Sequence, residues 1–241
     1  MKRKIFDIHS HIVPNVDDGA INMAMAVQML RNASEQGVHS IVCTSHSGCN
    51  INVYNNNFKA LQDAAKRDNV NINLYAGCEV YCDADNLSRV AYGLSKKNIH
   101  TINNTKYVLI EFDPYTTENE MMTCVTDLRS FDYIPVIAHV ERYYCVHNHM
   151  ELIKTLCKMG CLLQINAYSL ESETNKQIKN CARQLLSAKY VSFIGSDAHR
   201  INHRPYKVKS GIDYIYDNCD ISYADDVCYK NAENLFISEV A

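Results

Sequence analysis

Glycine and proline are scarce in this chain, 8 and 4 among 241 residues, and no stretch is of low complexity. That leaves no visible linker, and no repeat stands out beyond an alternation of strand-like and helix-like segments. The length suits one domain of ordinary or barrel type with a substantial core, so residues 1–241 are expected to fold as a single unit. Dense clusters of lysine and arginine are missing, and the formal charge is −3. A protein that grips a nucleic-acid backbone needs the reverse, which argues against nucleic acid as a partner. No apolar run reaches membrane-spanning length, and after Lys2, Arg3 and Lys4 only two apolar residues precede Asp7. The expectation is a cytoplasmic protein with no signal peptide and no membrane insertion.

Cysteine, by contrast, is plentiful at 11, but the number is odd and no two cysteines stand in C-x-x-C spacing. These thiols read as small core residues in a reducing compartment rather than as a disulfide framework. Cys43 and Cys78, inside apolar runs, illustrate that reading.

The segments alternate along the chain. Ile5 to His9 reads as a strand, and Asn22 to Gly37 follows with apolar residues at Met23, Val27, Leu30 and Ala33, a helical stripe closed by glycine. Strands are expected at Ser40–Thr44, Ile72–Ala76, Tyr107–Glu111, Ile134–Ala138, Cys161–Ile165 and Tyr190–Gly195. Helices are expected between them at Phe58–Arg67, somewhere after Asp83, near Asn119–Ser130, near Met150–Met159 and over Glu171–Ala188. Asn103-Asn104 suggests a hairpin within Ile99–Glu111, because asparagine tolerates positive φ. Regular alternation implies parallel pairing, and the mostly apolar strands suit burial on both faces. A β/α barrel of about seven strands fits best, with an open doubly wound sheet as the competing architecture.

Residues able to bind metal follow nearly every predicted strand. His9 and His11 close the first, His46 the second, Glu79 the third, Glu111 the fourth and His139 the fifth, while Asp197 and His199 follow the seventh. In a barrel these ends converge on one face, the face where such barrels keep their active sites. His9-Ser10-His11 places two imidazoles two residues apart, on the same side of a strand, and Asp197-Ala198-His199 repeats the spacing after Gly195, which allows close backbone approach. With Asp18 the set is nine N and O donors and no thiolate, a combination that favours Mn, Fe or Zn in a multinuclear site.

Each member has a plainer reading. Glu79 could be a surface acid, Glu111 could pair with Arg142, and Asp17 and Asp18 could cap the helix that begins nearby. His39, His100, His147, His149 and His203 fall outside the pattern and read as surface or loop residues. Arg142 and Arg204 stand three to five residues beyond ligand candidates, close enough to hold a phosphate in a forked contact, with a helix-surface arginine as the alternative. No cysteine has an arginine six residues later, and neither G-x-x-x-x-G-K-[ST] nor G-x-G-x-x-G occurs. Of the phosphatase chemistries, metal-activated water is left.

Taken in order, Asp7-Ile8-His9-Ser10-His11, Val16-Asp17-Asp18-Gly19, Thr44-Ser45-His46, Gly77-Cys78-Glu79-Val80-Tyr81, Val108-Leu109-Ile110-Glu111-Phe112, Ala138-His139-Val140-Glu141-Arg142-Tyr143 and Gly195-Ser196-Asp197-Ala198-His199 span nearly the whole chain. The chain resembles the polymerase and histidinol phosphatase superfamily and, more narrowly, the bacterial manganese-dependent protein-tyrosine phosphatases of capsule and exopolysaccharide operons. That resemblance implies a distorted β/α barrel with three divalent ions, Mn or else Fe or Zn. One ion would be held by His9, His11, Glu79 and Asp197, a second by Glu79, Glu111 and His139, and a third by Asp18, His46 and His199. Arg142 and Arg204 match the family's phosphate-binding arginines. Val140 stands where the family usually has proline, and Ser47-Gly48-Cys49 stands where it usually has a second histidine or another polar residue just after His46; neither change removes a ligand, but both touch the mouth of the pocket.

The implied reaction is hydrolysis of a phosphate monoester by metal-activated water, with Arg142 and Arg204 neutralising charge and His199 or a water protonating the phenolate. The implied substrate is phosphotyrosine in the tail of a bacterial tyrosine autokinase that controls polysaccharide export. Rival readings are a small-molecule phosphatase acting on a compound such as histidinol phosphate, phosphodiester cleavage, and a metal-binding regulatory module without catalysis.

Overall fold

The computed structural model describes residues 3–238. Eight parallel strands run in chain order: β1 (Ile5–Ser10), β2 (Val38–Cys43), β3 (Asn73–Ala76), β4 (Glu79–Tyr81), β5 (Tyr107–Glu111), β6 (Ile134–Ile137), β7 (Leu162–Asn166) and β8 (Phe193–Gly195). Ladders join β1-β2-β3 and β4-β5-β6-β7-β8. Single parallel bridges continue the pairing across the two seams, Ser10 with Ala198 and His46 with Glu79. The first and last strands are therefore neighbours, which an open doubly wound sheet does not allow.

Alternation along the strands explains the layers. Phe6, Ile8, Val42, Tyr107, Leu109, Val136, Ala138 and Phe193 form a small inner cluster, while Ile41, Cys43, Val108, Ile110, Ile137 and Ile194 join the larger outer one beneath the helices. Those helices are α1 (Met23–Glu35), α2 (Ile51–Arg67), α3 (Leu87–Ser95), α4 (Glu118–Ser130), α5 (Met150–Lys158), α6 (Lys176–Ser187) and α7 (Lys209–Asn218). A further helix, α8 (Ile221–Asp225), runs on through Ser238 in irregular turns and seats Phe236 among the inner residues, 4.9 Å from the Phe193 ring and 5.3 Å from that of Tyr107. Tyr107 and Phe193 begin their strands, so this segment plugs the end of the barrel opposite the ligand candidates.

Several details differ from the sequence reading. The third expected strand, Ile72–Ala76, forms as β3, but a further strand that was not expected, β4, follows after a break at Gly77-Cys78, where the Tyr54 hydroxyl donates to the Cys43 carbonyl at 2.6 Å and accepts from the Gly77 amide at 3.2 Å. No hairpin forms in Ile99–Glu111: Asn103 and Asn104 do take positive φ, but in a single helical turn leading into β5. The second helix starts at Ile51, capped by the Asn50 side chain, and the helix expected from Glu171 starts only at Lys176, capped by Asn175. The last strand begins at Phe193 rather than Tyr190. No helix of the described residues is long and apolar enough to cross a membrane.

Candidate metal centre

All nine ligand candidates gather on one face: most stand at or just past the carboxyl ends of strands, while Glu79 opens β4 and Asp18 lies in the loop after β1. Four overlapping groups have ligand atoms within 4.8 Å of one another: His11, Asp18, His46 and His199; His9, Glu79 and His139; His9, His11 and Asp197; and His46, Glu79 and Glu111. The partition differs from the one the resemblance implies, since His11 also faces the Asp18 group, His9 that of His139, and His46 that of Glu111. Glu79 sits in the middle, 3.2 Å from His9 Nε2, 3.1 Å from His11 Nε2, 3.0 Å from His139 Nε2 and 3.4 Å from His46 Nδ1. Glu111 does not pair with Arg142; it lies 3.1 Å from His46 Nδ1.

Buried partners aim the imidazoles. His9 and His11 approach through their Nε2 atoms at 3.3 Å, because each Nδ1 is occupied elsewhere, by Gln164 Oε1 at 3.1 Å and by Asp17 Oδ2 at 2.8 Å. With Nδ1–H donating to those oxygens, Nε2 is the atom each ring turns into the site, ready to serve as a ligand once it carries no proton. Gln164 Oε1 also accepts from the His139 amide at 2.9 Å, and Gln164 Nε2 donates to Asn166 Oδ1 at 2.9 Å. Asn166 in turn donates to Asp197 Oδ2 at 3.1 Å. Asp7 holds the two ends of the site together, accepting from the amides of His9 and Ser196 and from the Tyr206 hydroxyl. A Cβ on Gly195 would lie 2.7 Å from both Gln164 Nε2 and His9 Cβ, the close approach expected of that glycine.

Asp17 does not cap α1, whose cap is Asn22, and neither does Asp18. Asp17 orients His11 and accepts from the backbone amides of Gly19 and His46. The sequence reading missed Asp17, Asp7, Gln164 and Asn166 as supporting residues. Asp7 and Asp17 at least adjoin the recognised motifs, whereas nothing local marks Gln164 or Asn166. His39, His100, His147, His149 and His203 stay outside the four groups.

Charge in the site is strongly coupled. Burial pushes the Glu79 carboxyl up, but His9, His11 and His139 around it outweigh burial and hold it well below the usual range. Burial pushes His11 down, yet its hydrogen bonds to Asp17 and Glu79 carry it well above the usual value. Asp17, raised by burial, is brought to about 2 by His11 and the two amides it accepts from. Burial and then repulsion from His11 lower His199, keeping it neutral. Arg142 and Arg204 both reach Asp197, at 2.9 and 3.4 Å, and Arg204 also meets Asp18 at 3.3 Å and His199 Nε2 at 2.6 Å. The two arginines line one cavity with His46, Glu79, Glu111 and His139.

Five imidazoles, four carboxylates and no thiolate make a donor set that fits divalent cations of the Mn, Fe or Zn kind.

The family model for capsular polysaccharide synthesis, CpsB/CapC, matches residues 5–237. Tyrosine-protein phosphatase CpsB of Streptococcus agalactiae is 31% identical over 241 residues, covering 96% of this chain and 98% of its own length. Tyrosine-protein phosphatase YwqE of Bacillus subtilis is 30% identical over 237 residues, covering 95% and 89%. A solved structure from work on YwqE of Bacillus subtilis and CpsB of Streptococcus pneumoniae, described as unique metal-dependent tyrosine phosphatases, matches with a TM-score of 0.85. Its identity is 29%, over 96% of this chain and 94% of that one. With the matched region running through every element that bears a ligand candidate, the chain belongs to the CpsB/CapC family of capsular polysaccharide synthesis.

Proposed function

We propose that this chain is a metal-dependent protein-tyrosine phosphatase. Residues 1–241 would form a single domain in the cytoplasm, with three divalent ions, manganese first among them. Its substrate would be phosphotyrosine in the tail of a bacterial tyrosine autokinase that controls capsule or exopolysaccharide synthesis. The observation that carries the reading is the convergence of nine N and O donors on one face with Arg142 and Arg204 beside them. The relatives' names, tyrosine-protein phosphatase for CpsB and YwqE, supply the substrate class.

His9, His11, Glu79 and Asp197, then Glu79, Glu111 and His139, then Asp18, His46 and His199 would hold the ions, with His9, His11 and His46 near enough to be shared. When bound, the ions supply a water ionised near neutral pH and screen the phosphoryl charge. Arg142 commits one amino group to Asp197, while Arg204 spreads its two over Asp197, Asp18 and His199; both line the cavity, where their forks would suit phosphoryl oxygens. Asn166 donates to the same Asp197 oxygen as Arg142, which helps to hold the carboxylate that both arginines meet. His199, held neutral, suits a ligand better than a proton donor. A phenolate leaving group has little need of one.

The test is metal analysis of purified protein with steady-state hydrolysis of a phosphotyrosyl peptide and of histidinol phosphate, before and after chelation and manganese addition. Chelation is expected to abolish peptide hydrolysis and manganese to restore it, while His139→Ala and Asp197→Ala lower it by at least about tenfold, the least seen for loss of even an outer-shell partner. Activity indifferent to chelation, or a preference for histidinol phosphate, would overturn the reading.

A further inference from the structure

Of the seven strand ends read from the sequence, only the sixth, now β7, brings no candidate ligand. It builds a groove instead. Past Asn166 the chain turns through Ala167–Leu170 and presents Tyr168, half-buried, with its hydroxyl accepting from Asn166 Nδ2 at 3.3 Å. The Tyr168 carbonyl accepts from Thr174 Oγ1 at 2.6 Å, which ties the following loop down as one lip. Ile178 on α6 and Pro205 complete the carbon surface of a cavity of about 420 Å³. Arg142 and Arg204 line this cavity and also the one of about 280 Å³ that holds the ligand candidates.

The two cavities therefore meet at the two arginines, and their walls differ. The smaller is walled mainly by imidazoles, carboxylates and guanidinium groups, which suit cations and a phosphoryl group. Its aromatic residue, Phe112, is buried at 3% exposure and offers an incoming ring no surface. The larger, within the size range of ligand pockets, also has Glu171, Glu173 and Lys207 in its lining, but it adds what the smaller lacks, a half-buried aromatic side chain and a branched aliphatic chain beside a proline ring.

We propose that the Tyr168 groove receives the aromatic ring of the phosphorylated tyrosine and the main chain beside it. The ring lies against Tyr168, Ile178 and Pro205 while its phosphoryl oxygens face Arg142 and Arg204. This rests on the phosphatase reading and adds where selectivity for an aryl ester resides. Tyr168 has a second part in it, because the amide that donates to its hydroxyl also donates to Asp197.

The experiment uses the manganese-loaded full chain with Ile178→Asp and Tyr168→Ala, measuring KM and kcat on a phosphotyrosyl peptide, the inhibition constant of inorganic phosphate, and bound metal. Loss of the apolar wall is expected to raise KM for the peptide about tenfold or more with kcat changed little, the scale of burying one large apolar group. Phosphate, which needs only the arginines and cations, keeps its inhibition constant in Ile178→Asp. Ile178 is half-buried on α6, so that variant stays informative if Tyr168→Ala fails to fold. Unchanged KM in Ile178→Asp, or phosphate inhibition weakened in parallel with KM, overturns the proposal. So does a KM increase confined to Pro114→Ser, which would place the ring at the exposed proline on the other side of the ligand cavity. A wild-type enzyme inactive on the peptide with manganese would instead sink the phosphatase reading itself.

Discussion

Gln164→Leu should separate the stability of this site from its metal affinity. The glutamine is fully buried and makes three contacts: its Oε1 accepts from the His139 amide at 2.9 Å and pairs with His9 Nδ1 at 3.1 Å, and its amide donates to Asn166 at 2.9 Å. Leucine keeps similar bulk but, besides removing the donor to Asn166 Oδ1, orphans two buried N–H donors, on His139 and His9. Each costs about 1–3 kcal/mol, together about 2–6 kcal/mol. For a domain of this size about 2–4 °C is lost per kcal/mol, so the metal-free protein should melt roughly 4–24 °C lower.

The metal effect has a separate cause. Without Oε1 nothing fixes His9 as the tautomer whose Nε2 is free, and loss of such a partner lowers affinity about 10-fold to 100-fold. Thermal unfolding of chelated protein reads the first effect, and manganese titration at a temperature where both variants are folded reads the second. Gln164→Glu keeps the acceptor oxygen and should recover most of the affinity. Manganese binding by Gln164→Leu equal to wild type would refute the argument that this side chain sets the His9 tautomer.

Arg142→Lys keeps charge but loses the fork, and should lower kcat/KM on a phosphotyrosyl peptide about 10-fold to 100-fold, the worth of one charged hydrogen bond; unchanged kinetics would remove Arg142 from phosphate binding. Phe236→Ala opens the plugged end of the barrel and should cost about 3–5 kcal/mol in thermal unfolding, while the folded fraction binds manganese as before, because Phe236 packs on the residues that start β5 and β8. Acidification should weaken manganese binding: a ligand imidazole must be neutral, and His11 holds its proton to well above the usual pH. The sign follows, since protons win as pH falls through that raised value. Calorimetry in buffers of different ionisation enthalpy should show proton release, and an affinity flat from neutral to mildly acidic pH would contradict it.

The order of strands and helices was legible because each strand is a short apolar run followed by a helical stripe; parallel pairing alone allowed both a ring and an open sheet, and the bridge from Ser10 to Ala198 decides between them. The break at Gly77-Cys78 was not legible, since it depends on Tyr54, 23 residues before Gly77, bridging two backbones. Ligand candidates were legible from their place after strands. Gln164 and Asn166 were hidden because buried amides inside an apolar strand have no local signature; only their partners from other strands, His9, His139 and Asp197, give them a role. The C-terminal plug was hidden for a similar reason, as Phe236 belongs to a core whose other members lie on strands far away in sequence.

Regular alternation alone would not build this site. Phe6 and Ile8 point into the barrel, so a strictly alternating strand would send His9 outward, and the register of β1 against β2 shifts between Asp7 and Ser10, where the parity changes. Val136 and Ala138 also point inward, and the next residue, His139, takes the left-handed conformation at φ 32°, ψ 51°. Asp197 and Arg204 are left-handed as well, at φ 51° and 48°. Such conformations cost about 1–3 kcal/mol each for residues other than glycine and persist only where the surroundings over-determine them. Here they are held by the His139 amide on Gln164, the Asp197 amide on the His9 carbonyl at 2.8 Å, and the Arg204 carbonyl accepting from His199 at 3.0 Å. Every one of these bonds involves a ligand candidate, so the strain and the site have the same supports. The i, i+2 spacing of His9 with His11 and Asp197 with His199 therefore brings the right side chains together for a reason other than strand alternation. Turns at the strand ends aim them, and the barrel beneath only brings the turns within reach of one another.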